Sequence, residues 1–163
     1  MSQCPLVHVP LAARPPFDGD CAKQIVFQVS LGVVGERIVL EMRQKGCRDQ
    51  EFVAIEADSE VTVELSGEQL YFSKEYDAIT MKGDFAAYYG GLFYDGYDKE
   101  KDRYRRVSFR ARFNTGGKSG TSHPFNINVD LYQPGSKQEW VPISIDPDIK
   151  NPPPWLDGSG KST

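Results

Sequence analysis

Between residues 23 and 149 apolar residues recur at every second position over much of the chain. A period of two, rather than 3.6, marks strands with one face buried. The clearest run is 104–113, where Val107, Phe109, Ala111 and Phe113 alternate with Arg106, Ser108, Arg110 and Arg112, so that one face is apolar and the other cationic. A second run follows the Gly- and Ser-rich turn at 114–120. Phe125, Ile127, Val129 and Leu131 point one way in it, and Asn126, Asn128 and Asp130 the other. The two runs read as a hairpin in which the arginines face the amides and the carboxylate across the pair. Further strands are predicted over 24–31, 51–57, 60–65, 69–73 and 139–146, and Pro142 marks the last as an edge or bulged strand. Segment 35–45 fits a helix or a strand, and its β-branched residues favour strand.

Short strands, turn signals and no long helical period predict an all-β fold: an antiparallel β-sandwich, immunoglobulin-like or cupredoxin-like, or a small barrel. The ends read differently. Pro5, Pro10, Pro15 and Pro16 crowd the start, and Pro152, Pro153 and Pro154 precede Gly158 and Gly160. Proline removes backbone donors, so neither end sustains a ladder. The expected organisation is a Pro-rich arm (1–22), one sandwich domain (23–149) and a Pro/Gly-rich tail (150–163).

Composition narrows the function classes. The chain has 163 residues, enough to bury a core without disulfides or a metal. Nineteen Lys and Arg against 23 Asp and Glu give a net charge of −4 with no charged block, which argues against a general nucleic-acid or anionic-membrane binder. No apolar run approaches the roughly 20 residues that span a bilayer. Met1-Ser2-Gln3-Cys4-Pro5-Leu6 lacks the features of a secretory signal, and a cytoplasmic protein is expected. Cys4, Cys21 and Cys47 form no CxxC pair and read as free thiols. With only His8 and His123 to add, no metal site and no cofactor are expected.

The stretch Tyr88–Asp98 sets four tyrosines, Tyr88, Tyr89, Tyr94 and Tyr97, among glycines. Such rings make a stacking platform; the plainer reading is a Gly-kinked strand that packs them on the core. Arg106, Arg110 and Arg112 form a stripe able to hold phosphates. Asp95, Asp98, Glu100 and Asp102 are interleaved with Lys99, Lys101 and Arg103, and read as a solvated loop rather than a Ca²⁺ site. His123 reads as a turn residue or a partner for a nearby backbone carbonyl. The ending Gly158-Ser159-Gly160-Lys161-Ser162-Thr163 imitates a phosphate loop, but Trp155 stands where that motif needs glycine, and a tail is expected. No catalytic residue is singled out.

The segment His123–Leu131, with Trp140–Pro152, resembles a group of uncharacterised bacterial proteins, some automatically labelled nucleotide synthetases. The likeness covers the C-terminal half. It implies a bacterial, cytoplasmic β-sandwich and supplies no site residue. The leading expectation is a non-enzymatic binding or assembly module that presents the 88–98 aromatic-glycine loop to a protein partner or a sister subunit in a homo-oligomer. The alternatives are an enzyme or binder of nucleotides or sugar phosphates using the arginine stripe, and a carbohydrate-binding module using the tyrosines.

Overall fold

The computed structural model describes residues 7–46 and 51–156. Cys4, Cys47 and the Gly158–Thr163 ending lie outside them. The protein is all-β. In chain order its strands are β1 (Val9–Pro10), β2 (Lys23–Val34), β3 (Arg37–Gln44), β4 (Phe52–Ala54), β5 (Ser59–Leu65), β6 (Leu70–Phe72), β7 (Ile79–Met81), β8 (Tyr89–Asp98), β9 (Arg103–Ala111), β10 (Ser122–Tyr132), β11 (Trp140–Ile145) and β12 (Asp148–Lys150). One sheet has the order β3-β2-β5-β9-β8; the other runs β1-β7-β10-β12-β4, with β6 and β11 also paired to β10. Neighbours are antiparallel except β2–β5 and β4–β12, so both sheets are mixed, and neither closes into a barrel. Among the described residues no helix is long and apolar enough to cross a membrane.

The period-two pattern explains the packing. In β5, Val61, Val63 and Leu65 are buried while Glu60, Thr62 and Glu64 are partly open. Ile25, Phe27 and Val29 of β2 and Val107, Phe109 and Ala111 of β9 share that inner face, and it closes on Phe72, Ile79, Phe125, Ile127 and Val129 of the other sheet in one core. Segment 35–45 is the strand β3, as its β-branched residues predict.

The expected hairpin of 104–113 with 125–131 does not form. The two strands belong to different sheets, and β9 lies between β5 and β8. The polar face of β9 therefore meets carboxylates: Arg110 is opposite Glu60, Arg106 is opposite Glu64 on one side and Asp95 on the other. Opposite-sign cross-strand pairs stabilise this register where the amides of β10 were expected to. In β10 both faces are buried. Behind the apolar set, Asn126 and Asn128 each donate to Thr80 Oγ1, at 3.1 and 3.0 Å, and Ser144 donates to Asn128 Oδ1 at 2.7 Å. Asp130 takes Arg103 Nε at 2.7 Å in a pair that is 8% and 12% exposed at the side chains. Pro142 lies on β11, which pairs with β10 along one edge only among the described strands.

The prolines of the two ends interrupt ladders without detaching the chain. Residues 9–10 pair with β7, Gly91 N–H donates to Ala12 O at 2.9 Å, and Arg110 and Arg112 bond the carbonyls of 16–19. At the other end Asn151, Pro152 and Pro153 are buried, and Trp155 Nε1 donates to Glu56.

Candidate functional site

After β9 the chain turns toward β10 through residues 112–121 at one end of the sandwich. Gly116, Gly117, Ser119 and Gly120 take the left-handed conformation there, with φ of 81, 67, 62 and 79°. Glycine adopts it freely, whereas a residue with a Cβ such as Ser119 does so at a cost of about 1–2 kcal/mol. Backbone strain of this kind is held only where surrounding contacts enforce it.

Those contacts come from beneath. The buried Asn114 donates through Nδ2 to the carbonyls of Lys118 (2.8 Å), Gly120 (2.9 Å) and Asn151 (2.9 Å). The carbonyls of Ser119 and Gly120 also face the ring of His123, whose Nε2 makes no hydrogen bond of ordinary geometry among the described residues. A planar peptide group points its C=O and the next N–H in opposite directions. With carbonyls 118, 119 and 120 turned inward, the amides of Ser119, Gly120 and Thr121 are turned outward, and none has an acceptor among the described residues. Successive outward amides make a concavity suited to an anion.

Asn151 anchors this arrangement. Its Nδ2 donates to Arg112 O at 2.8 Å and to the Tyr89 hydroxyl at 3.1 Å, while its Oδ1 accepts Asn114 N–H at 2.8 Å. Having accepted from Asn151, the Tyr89 hydroxyl donates to His123 Nδ1, 2.6 Å away. That direction assigns the ring proton to Nε2, the side facing the loop carbonyls. Burial holds the Tyr89 hydroxyl well above its usual ionisation range and His123 below its own, so both are neutral at physiological pH.

Beside the loop lies a cleft of about 560 Å³ lined by Glu56, Asp58, Tyr88, Arg112, Asn114 and Lys118, among others, while Ser119, Gly120 and Thr121 stand outside its lining. The half-buried Tyr88 ring stacks on His123 at 5.7 Å and 23° and forms one wall. Asp58 Oδ1 accepts Phe113 N–H at 2.8 Å. Glu56 is engaged by Lys23 and Trp155, and these hydrogen bonds lower its carboxyl pKa. Arg112 gives one donor to Pro16 O, and Lys118 has no ion pair among the described residues.

The sequence-derived candidates scatter over this frame. The 88–98 stretch is not a loop but the edge strand β8 with Tyr88 just before it. Tyr89 is core, Tyr88 walls the cleft, and Tyr94 is half-buried with its hydroxyl accepting Ala78 N–H at 2.8 Å. Tyr97 is 52% exposed and donates to Asp102. Arg106 pairs with Asp95 at 2.7 Å, Arg110 bonds Gly19 O at 2.6 Å, and of the three only Arg112 reaches the cleft. Sequence reasoning missed Asn114, Lys118, Asp58 and Asn151. A signal existed: Gly117-Lys118-Ser119 repeats the tripeptide at 160–162, and Lys118 lines the cleft.

Compared with protein families, residues 2–154 match the family described as "predicted novel nucleotide synthetase". The chain belongs to that family. No curated protein matches it. The family match takes in the arm, the 112–121 loop and Asn151, well beyond the C-terminal half that carried the resemblance. The cleft and its footing thus lie wholly inside the family's segment.

Proposed function

We propose that the protein binds a phosphorylated small molecule, a nucleotide first among them, in the cleft beside the 112–121 loop. The observation that carries this reading is the pair of cations on the cleft wall, Arg112 and Lys118, with Lys118 in no ion pair among the described residues; the outward amides of Ser119, Gly120 and Thr121 follow Lys118 in the neighbouring loop. A phosphoryl group takes its hydrogen bonds from such amides and its charge balance from Lys118 and Arg112. Tyr88 offers a ring face to a base, and the Oδ2 of Asp58 accepts from a hydroxyl. The family's description, which names a nucleotide, supports the same class of ligand.

Calorimetric titration with adenosine and guanosine phosphates at low salt tests the reading. Binding is expected, with affinity about tenfold weaker in Lys118→Ala, the loss of one charge-assisted contact. No heat and no change in melting temperature with any of these ligands would overturn it.

A second reading rests on a separate observation. On the edge strand β8, Phe93 and Tyr97 are 64% and 52% exposed, a surface for a protein partner or a second copy of the chain. Light scattering over a concentration series, repeated with Phe93→Asp, tests self-association at that edge; a monomer at every concentration argues against it.

A further inference from the structure

Arg112 belongs to two clefts. On one side it walls the loop cleft with Lys118; on the other it walls a second cleft, also about 560 Å³, with Arg14, Pro15, Pro16, Phe17 and Asp18 of the N-terminal arm. We infer that the ligand is an oligophosphate whose chain crosses Arg112, with one end at Lys118 and the other toward Arg14. The inference rests on the reading above and narrows its ligand class.

The position of Arg112 is fixed by its own backbone. Its N–H donates to Tyr88 O at 2.7 Å and its carbonyl accepts Asn151 Nδ2 at 2.8 Å, so the guanidinium projects from an anchored base. Of its five donors only one is used among the described residues, by the uncharged carbonyl of Pro16. Neither Arg14 nor Lys118 makes an ion pair among those residues. Three cations thus follow one another along two adjoining clefts. Three carboxylates line the same clefts: Glu56, which is engaged by Lys23 and Trp155, Asp58, which accepts the Phe113 N–H and keeps its charge, and Asp18 in the arm cleft. A single phosphoryl group in the loop cleft is balanced by Lys118 and Arg112. Arg14 adds recognition only for charge that continues past Arg112.

The arm is built to stay there. Arg110 bonds Phe17 O and Gly19 O, and the backbone at Ala12 and Arg14 passes so close over Gly90 that a Cβ on that residue would meet Arg14 O at 2.2 Å. Arg14 is therefore carried to the cleft by the body of the fold.

The test is titration of the full chain with AMP, ADP, ATP and inorganic tripolyphosphate, for wild type, Arg14→Ala and Arg14→Gln. Affinity is expected to rise about tenfold from mono- to triphosphate, and either Arg14 variant to lose about fivefold for the triphosphates while AMP changes less than about twofold. Equal binding of AMP and ATP, with neither Arg14 variant having an effect, overturns the inference and leaves the nucleotide reading standing. Failure of every nucleotide and of tripolyphosphate to bind overturns both. Because the Arg14 side chain is exposed and bonds no described residue, neither variant is expected to disturb folding, and unchanged melting temperatures verify this.

Discussion

The hydroxyl of Tyr89 on β8 lies 2.6 Å from Nδ1 of His123 on β10, and both residues have no exposed surface. The two strands belong to opposite sheets, so this contact is a polar bridge through the apolar core. Asn151 completes it from beyond β12 and carries it up to the 112–121 loop through Asn114. In a low-dielectric interior hydrogen bonds of this kind favour one arrangement, and removing a member strands the others.

Tyr89→Phe keeps the ring and removes the bridge, leaving Asn151 Nδ2 and His123 Nδ1 each short of a partner. The expected loss is about 1–3 kcal/mol, measured by urea unfolding at neutral pH. Alkaline titration followed by tyrosine absorbance gives an independent check. Tyr89 is expected to ionise only as the fold opens, because burial raises its pKa well above the ordinary value of 10.0. That late step should vanish in the variant.

His123 gives stability a pH dependence whose sign follows from its lowered pKa. The folded state disfavours the imidazolium because of burial, so the unfolded chain binds the proton more readily. Stability is then fully present above the unfolded value of 6.5 and falls as pH drops below it toward the folded pKa. Urea midpoints of wild type should decline between about pH 7 and pH 5, and His123→Phe, lower at neutral pH, should lose that component of the slope. Identical slopes would show that His123 is not the titrating group.

Gly90→Ala should lift the arm. The added methyl has no room beneath Arg14 O, and backbone cannot yield as the tip of a side chain does. Chymotrypsin cleavage after Phe17, whose ring lies 5.1 Å from the Arg110 guanidinium in the wild type, is the readout, and it should accelerate. An unchanged cleavage rate would mean that the arm is not held at Gly90.

The Arg103–Asp130 pair is expected to be costly to break from one side. Arg103 also lies 3.6 Å from the centre of the Trp140 ring, and Asp130 Oδ2 accepts Lys74 N–H at 3.3 Å. Asp130→Leu alone leaves a largely buried guanidinium and should cost about 3–5 kcal/mol. Adding Arg103→Met should restore much of the loss, which a double-mutant cycle in denaturant measures.

What was legible in the sequence follows the physics of one buried face. Val107, Phe109 and Ala111 announced β9, and Phe125, Ile127 and Val129 announced β10, because alternation reports a strand's own faces. It does not report which strand lies alongside, and adjacency in sequence suggested a hairpin where the chain instead crosses between sheets. Asn126, Asn128 and Asp130 looked solvent-facing because polar residues usually are. Here Thr80, Ser144 and Arg103 bond them, and those partners lie in distant segments. Ile79–Met81 and Asp148–Lys150 were too short to show a period. The site was hardest to see. Asn114 and Asn151 are ordinary turn residues by type, and only their convergence under the loop gives them a role.

The order in which strands find partners has a consequence for the nascent chain. The sheet of β2, β3, β5, β8 and β9 is complete once residue 111 has been made, whereas among the described residues β4 pairs with β12 and β6 with β10. During synthesis of residues 112–150, about two to eight seconds at ordinary translation rates, the first sheet lacks Phe125, Ile127 and Val129 to cover Phe27, Val63 and Phe109. A ribosome stalled in that interval would display a ready-made apolar sheet face, the kind of surface that chaperones hold and that otherwise aggregates.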